Sequence, residues 1–121
     1  MSSILSNNFD SPDETMSFDK AEAKIANLAD VRVTKVVLQP GWSWSTCIKP
    51  VVGTESCQAR HVGILVSGSV SAKHDDGTQL DFHAGDAYVI EPGHDGWVEG
   101  NESALLYEFS ENPIWNVSNN G

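Results

Sequence analysis

The chain has 121 residues, room for one domain with one core, and is near the size at which a second copy helps to bury surface. Seventeen acidic residues against seven basic ones give a net charge of −10, which argues against nucleic acid or an anionic membrane surface as a partner. No apolar run approaches the roughly 18 residues of a membrane span, and the N-terminus lacks a basic start followed by an apolar stretch, so a cytoplasmic location is expected.

Residues 1–30 are expected to form an N-terminal arm, loose or lying across the domain, with at most a short helix. Ser11-Pro12-Asp13-Glu14 has the form of a capping box with proline at the first helical position, but only Met16 and Phe18 follow it as apolar residues. From Lys20 to Ala29, Ala23, Ile25, Ala26 and Leu28 are spaced among charges in a weak amphipathic pattern that competes with an irregular link.

From Val31 the pattern turns to strands, predicted at Val31–Gln39, Trp42–Ile48, His61–Ser67, Val70–His74, Thr78–Phe82, Ala87–Ile90, Trp97–Val98 and Ala104–Phe109. Pro40-Gly41, Gly53, Gly68, Asp75-Asp76-Gly77, Ala84-Gly85, Pro92-Gly93 and Gly100-Asn101 punctuate them at the short intervals of a sandwich or barrel. Residues 31–110 therefore read as one all-β domain, and residues 111–121 as a polar C-terminal tail. In His61–Ser67, alternation puts His61, Gly63 and Leu65 on one face and Val62, Ile64 and Val66 on the other. A strand apolar on both faces must be covered twice, which predicts a homodimer.

The run Gly85-Asp86-Ala87-Tyr88-Val89-Ile90-Glu91-Pro92-Gly93-His94-Asp95-Gly96-Trp97-Val98 reads as turn, strand, turn, strand. Together with the Val66-Ser67-Gly68-Ser69-Val70 turn it resembles the cupin pattern over roughly residues 36–109, because two turns of the right kind fall in the right order and at the right spacing. The resemblance implies a cupin-type double-stranded β-helix, the jelly-roll barrel, and does not specify an activity.

Metal-binding cupins take a His-x-His pair, a glutamate and a further histidine. Counted forward from Gly41, the paired positions fall on Cys47 and Lys49; counted back from Gly68, the glutamate position falls on His61; the last falls on Gly96, with His94 two places earlier. Counted back from His61 without a gap, the pair becomes Glu55 and Cys57. The forward count is preferred, since Gly53-Thr54-Glu55-Ser56 looks like loop. The usual histidines are out of place, so a conventional iron site is not expected. One reading brings Cys47 or Cys57, His61 and His94 onto a divalent ion, zinc being the most compatible with a thiolate and two imidazoles. The other makes the same residues an ordinary polar lining. In a reducing compartment Cys47 and Cys57 are not expected to pair.

Lys49 either reaches solvent ahead of Pro50 or points inward, where it would bind a carboxylate or act as a base; with His61 it is the candidate for a catalytic role. His74 and His83 are expected to be solvated. Trp44, Lys49, Tyr88 and Trp97 are the candidate ligand-binding residues, in an aromatic set that either lines a pocket or simply fills the core. Two functions follow: a small-molecule-binding cupin with its pocket inside the barrel, or a metal-dependent cupin enzyme of isomerase, dioxygenase or decarboxylase type acting on a small organic acid or carbonyl compound. No nucleophile elbow, phosphate loop or dinucleotide fingerprint is present.

Overall fold

Alternating apolar residues and closely spaced turns produce, in the computed structural model, which describes residues 3–111, strands β1 (Glu14–Phe18), β2 (Ala21–Leu28) and β3 (Val31–Leu38). Two single-turn helices follow, α1 (Trp44–Cys47) and α2 (Lys49–Val52). The chain then runs through β4 (His61–Ser67), β5 (Ser69–His74), β6 (Gln79–His83), β7 (Ala87–Ile90), β8 (His94–Val98) and β9 (Ala104–Glu111). The strands form a six-stranded sheet in the order β1-β2-β3-β9-β4-β7 and a three-stranded sheet in the order β6-β5-β8. Every pairing is antiparallel.

The two sheets enclose a core of Leu38, Leu65, Val70, Tyr88, Val98, Ala104 and Leu106, contributed by alternate residues of their strands. One turn is confined to glycine on two grounds. Gly68 joins β4 to β5 at φ +84°, and a Cβ there would sit 2.6 Å from the Ser103 carbonyl oxygen and 2.8 Å from Ala104 Cα.

Two expectations need correction. Residues 14–28 are not an arm or a short helix but β1 and β2, paired to each other and, through β3, to the large sheet. Only the segment ahead of them behaves as an arm: the Phe9 ring packs on Tyr107 with centroids 5.7 Å apart, and Asp13 N–H donates to the Ile25 carbonyl. The predicted strand Trp42–Ile48 is also absent. Ser43 caps α1 by accepting from Thr46 N–H, Pro50 sits in the first turn of α2, where its missing N–H costs nothing, and Gly53 ends α2 at φ +79°. The predicted tail lies outside the described residues beyond Glu111, which belongs to β9.

In β4 the alternation is as read: Leu65 is fully buried, while Val62, Ile64 and Val66 are exposed on the outer face, joined there by Val89 of the neighbouring β7. Among the described residues no helix is long and apolar enough to cross a membrane.

Candidate functional site

The inward face of the barrel carries one cluster of metal-ligating side chains among the described residues, Cys57, His61 and His94. His61 opens β4 on the face of Gly63 and Leu65. His94 opens β8, directly after the Pro92-Gly93 corner, where Gly93 takes φ +100° and the His74 ring braces the turn through a 2.8 Å hydrogen bond to the Pro92 carbonyl. His74 is therefore a structural support of the corner rather than a freely solvated residue. Cys57 follows the helical segment and is tied to His94 by a backbone bridge: Cys57 N–H donates to the His94 carbonyl and Gly93 N–H to the Cys57 carbonyl, both at 2.7 Å.

One donor atom from each of the three residues lies within 4.8 Å of the others, and Cys57 and His94 are buried. Cys57 Sγ is 3.6 Å from His61 Nε2. The edge between a sulfur and a nitrogen ligand of a tetrahedral zinc ion is about 3.6 Å, from Zn–S and Zn–N distances of about 2.3 and 2.0–2.1 Å. Both rings are oriented from behind. His61 Nδ1 pairs with Glu108 Oε1 at 2.8 Å, and His94 Nδ1 donates to the Glu91 carbonyl at 2.7 Å. Each ring thus spends Nδ1 on an acceptor and leaves Nε2 for the cluster, the arrangement that fixes imidazole ligands around metals. The residues present fit a borderline divalent ion.

Glu108 also accepts from the Tyr88 hydroxyl at 2.8 Å. The contact crosses Gly63, which is paired with Tyr88 on one side and Glu108 on the other. A Cβ at Gly63 would collide with the Tyr107 carbonyl oxygen and come within 2.9 Å of the Tyr88 hydroxyl.

The electrostatics follow from these contacts. Burial pushes the Cys57 thiol up, but hydrogen bonds from His61 and His94 outweigh it and bring it down to about 6. Burial opposes the His61 imidazolium, yet hydrogen bonds to Cys57 and Glu108 and the charges on both raise it to about 10. Burial and the adjacent Glu108 carboxylate hold the Tyr88 phenol well above its ordinary value. The two opposite shifts favour a thiolate on Cys57 and an imidazolium on His61 when no ion is bound.

The cluster borders a cavity of about 600 Å³, within the roughly 300–1,000 Å³ of small-molecule sites. Trp44 and Tyr88, two of the four candidate ligand-binding residues, line it, along with His61, His94 and Cys57. The others are elsewhere. Lys49 pairs with the exposed Glu55 at 3.3 Å and does not border the cavity, and Trp97 lies on the face of β8 opposite His94, its indole N–H donating to Glu99. Cys47 is buried in α1 with Sγ 3.7 Å from Asp19 Oδ2, apart from the cluster. The forward register that paired Cys47 with Lys49 fails because residues 44–52 are helical, and of the backward pair Cys57 joins the cluster while Glu55 faces solvent. Both cysteines are free. Glu108 was missed, although the alternation of β9 puts it on the inward face with Ala104 and Leu106.

No protein-family model matches the chain, and no curated protein matches it in sequence. Solved structures do match in fold. Oxalate decarboxylase from Lactobacillus farciminis, as a formate complex, superposes with a TM-score of 0.61 at 20% identity over 84% of this chain and 31% of its own. KdgF from a Halomonas species gives 0.54 at 20% identity over 78% and 81%, and a cupin-2 domain protein from Shewanella frigidimarina gives 0.51 at 17% over 74% and 79%. The antiparallel barrel therefore has the fold of a small cupin, and it carries the Cys57–His61–His94 cluster on its inner face.

Proposed function

We propose that this cupin binds one divalent ion, zinc fitting best, through Cys57, His61 and His94, and holds a small molecule against it in the adjoining cavity. The observation that carries the reading is the convergence of three donors on a cavity wall with both imidazoles already oriented by acceptors at Nδ1. Three protein donors leave a position for an exogenous ligand, as in catalytic rather than closed structural sites, and a zinc ion so held polarises a carbonyl or acidifies a bound water. Zinc has no redox chemistry, so among the reaction types open to the fold the reading favours redox-neutral chemistry of the isomerase kind over dioxygenation. The chain's own residues supply orientation through the Glu108 carboxylate and the Glu91 carbonyl and surround a ligand with mostly apolar walls.

Elemental analysis of tag-free protein tests the reading. About one zinc per chain is expected, lost in both Cys57→Ala and His61→Ala with the fold retained by circular dichroism. Metal-free protein from cells grown with added metals, or metal that persists in both variants, overturns it.

The outer face of β4 and β7 supports a second proposal, that a second copy of the chain covers it. Copies at net charge −10 repel one another over most of their surface, whereas Val62, Ile64, Val66 and Val89 form an uncharged, exposed apolar patch. Light scattering at micromolar concentration is expected to give twice the chain mass, falling to the chain mass in Ile64→Glu. The chain mass for the unmodified protein overturns the dimer.

A further inference from the structure

The cavity beside the cluster has walls that offer an anion no cationic side chain outside the cluster. The one buried donor left without a partner there among the described residues is the Trp42 indole N–H, enough for a neutral oxygen but not for a full charge. Phe18, Val36, Phe82 and Leu106 make the walls largely aliphatic and aromatic, and outside the Cys57–His61–His94 cluster the charged side chains among the described lining residues are carboxylates, Glu22 and Glu108, with no lysine or arginine. Lys49, the expected anchor for a carboxylate, is paired with Glu55 outside the cavity. A divalent ion held by Cys57, His61 and His94 would bring two positive charges. The Cys57 thiolate and the Glu108 carboxylate behind His61 bring two negative ones, so the centre has no charge to spare. Burying an unpaired carboxylate in such walls is costly, and the net charge of −10 adds a field of the same sign.

We infer that the ligand of this cavity is an uncharged, mostly apolar molecule carrying one carbonyl or hydroxyl oxygen, and that carboxylates and phosphate esters of the same shape are rejected. The inference rests on the ion site proposed above and narrows its ligand from small organic acids and carbonyl compounds alike to neutral carbonyl compounds and alcohols.

Matched pairs that differ in charge alone test it: hexanamide against hexanoate, phenylacetamide against phenylacetate, and 1-naphthylacetamide against 1-naphthylacetate. Each is titrated calorimetrically into the full chain, zinc-loaded and chelator-treated. The amide of at least one pair is expected to bind at least tenfold more tightly than its carboxylate. Met16→Lys, which places an ammonium on the half-exposed rim strand of the cavity, is expected to narrow or reverse that preference. A carboxylate that binds as tightly as its amide, or the failure of every amide to bind, overturns the inference. The two proposals fail separately. A preference for amides in protein that takes up no zinc removes the ion site and keeps the ligand class, whereas stoichiometric zinc with carboxylates preferred does the reverse.

Discussion

Zinc binding is expected to release about one proton per chain near pH 8 and to strengthen about tenfold per pH unit up to about pH 10. The cause is the ion-free pair: with the Cys57 thiol lowered to about 6 and His61 raised to about 10, the thiolate already exists through this range, and the proton on His61 Nε2 must leave before that nitrogen can act as a ligand. Below pH 6 Cys57 must also give up a proton, and the dependence steepens. Folding stability of the ion-free chain has the complementary profile. The raised value of His61 stabilises the fold below its ordinary 6.5, a contribution lost as pH rises through about 10. The lowered value of Cys57 stabilises it above its ordinary 9.0, a contribution lost as pH falls through about 6. The ion-free protein is therefore expected to be most stable between about pH 6.5 and 9, losing this contribution in part as pH falls to about 6 or rises to about 10. Calorimetric titration with zinc in two buffers of different ionisation enthalpy counts the protons, and urea denaturation across pH reads the window. Binding without proton release contradicts the ion pair.

Gly63→Ala is expected to destabilise the fold by about 3 kcal/mol, because a methyl group there meets backbone rather than a side chain that can swing away. The Tyr107 carbonyl lies on the paired strand β9 and cannot retreat without disturbing the ladder between β4 and β9. The same methyl crowds the Tyr88 hydroxyl off Glu108, loosening the carboxylate that orients His61. Zinc affinity is therefore expected to fall roughly tenfold along with stability. Leu80→Ala, on the exposed face of β6 away from the β4–β7 patch, is the control and is expected to cost about 1 kcal/mol or less. Urea denaturation measures both, and a Gly63→Ala variant as stable as the parent would show that the strand has slack the packing does not reveal.

The barrel was legible where turns carried glycine. Gly68, Gly77, Gly85 and Gly93 all take positive φ at the joints predicted for them, and the strands between them fall within a few residues of their expected limits. β1 and β2 were missed for the converse reason. Their turns place Lys20 at φ +59° and Ala29 at φ +54°, a conformation that sequence reading assigns to glycine or asparagine, so the hairpins carried no signal. The alternation of Trp42 and Trp44 suggested a strand, but Ser43 and Pro50 are helix-start residues and the local chemistry prevailed. That error carried into the site by favouring Cys47 over Cys57. His61 was found by counting back from the Gly68 turn, and His94 because it directly follows the Pro92-Gly93 corner, two places before the position the count gave. Glu108 followed no motif and was visible only as the charged member of an otherwise apolar strand face.

The backbone bridge between Cys57 and His94 separates this centre from metal sites that create their own fold. Zinc fingers are unfolded until the ion gathers their ligands. Here hydrogen bonds of 2.7 Å already hold two donors in register, and the third stands on a strand of the main sheet. A chelator should therefore strip the ion and leave a folded barrel that can be refilled, so that loading is a reversible equilibrium of the finished protein rather than a condition of its assembly.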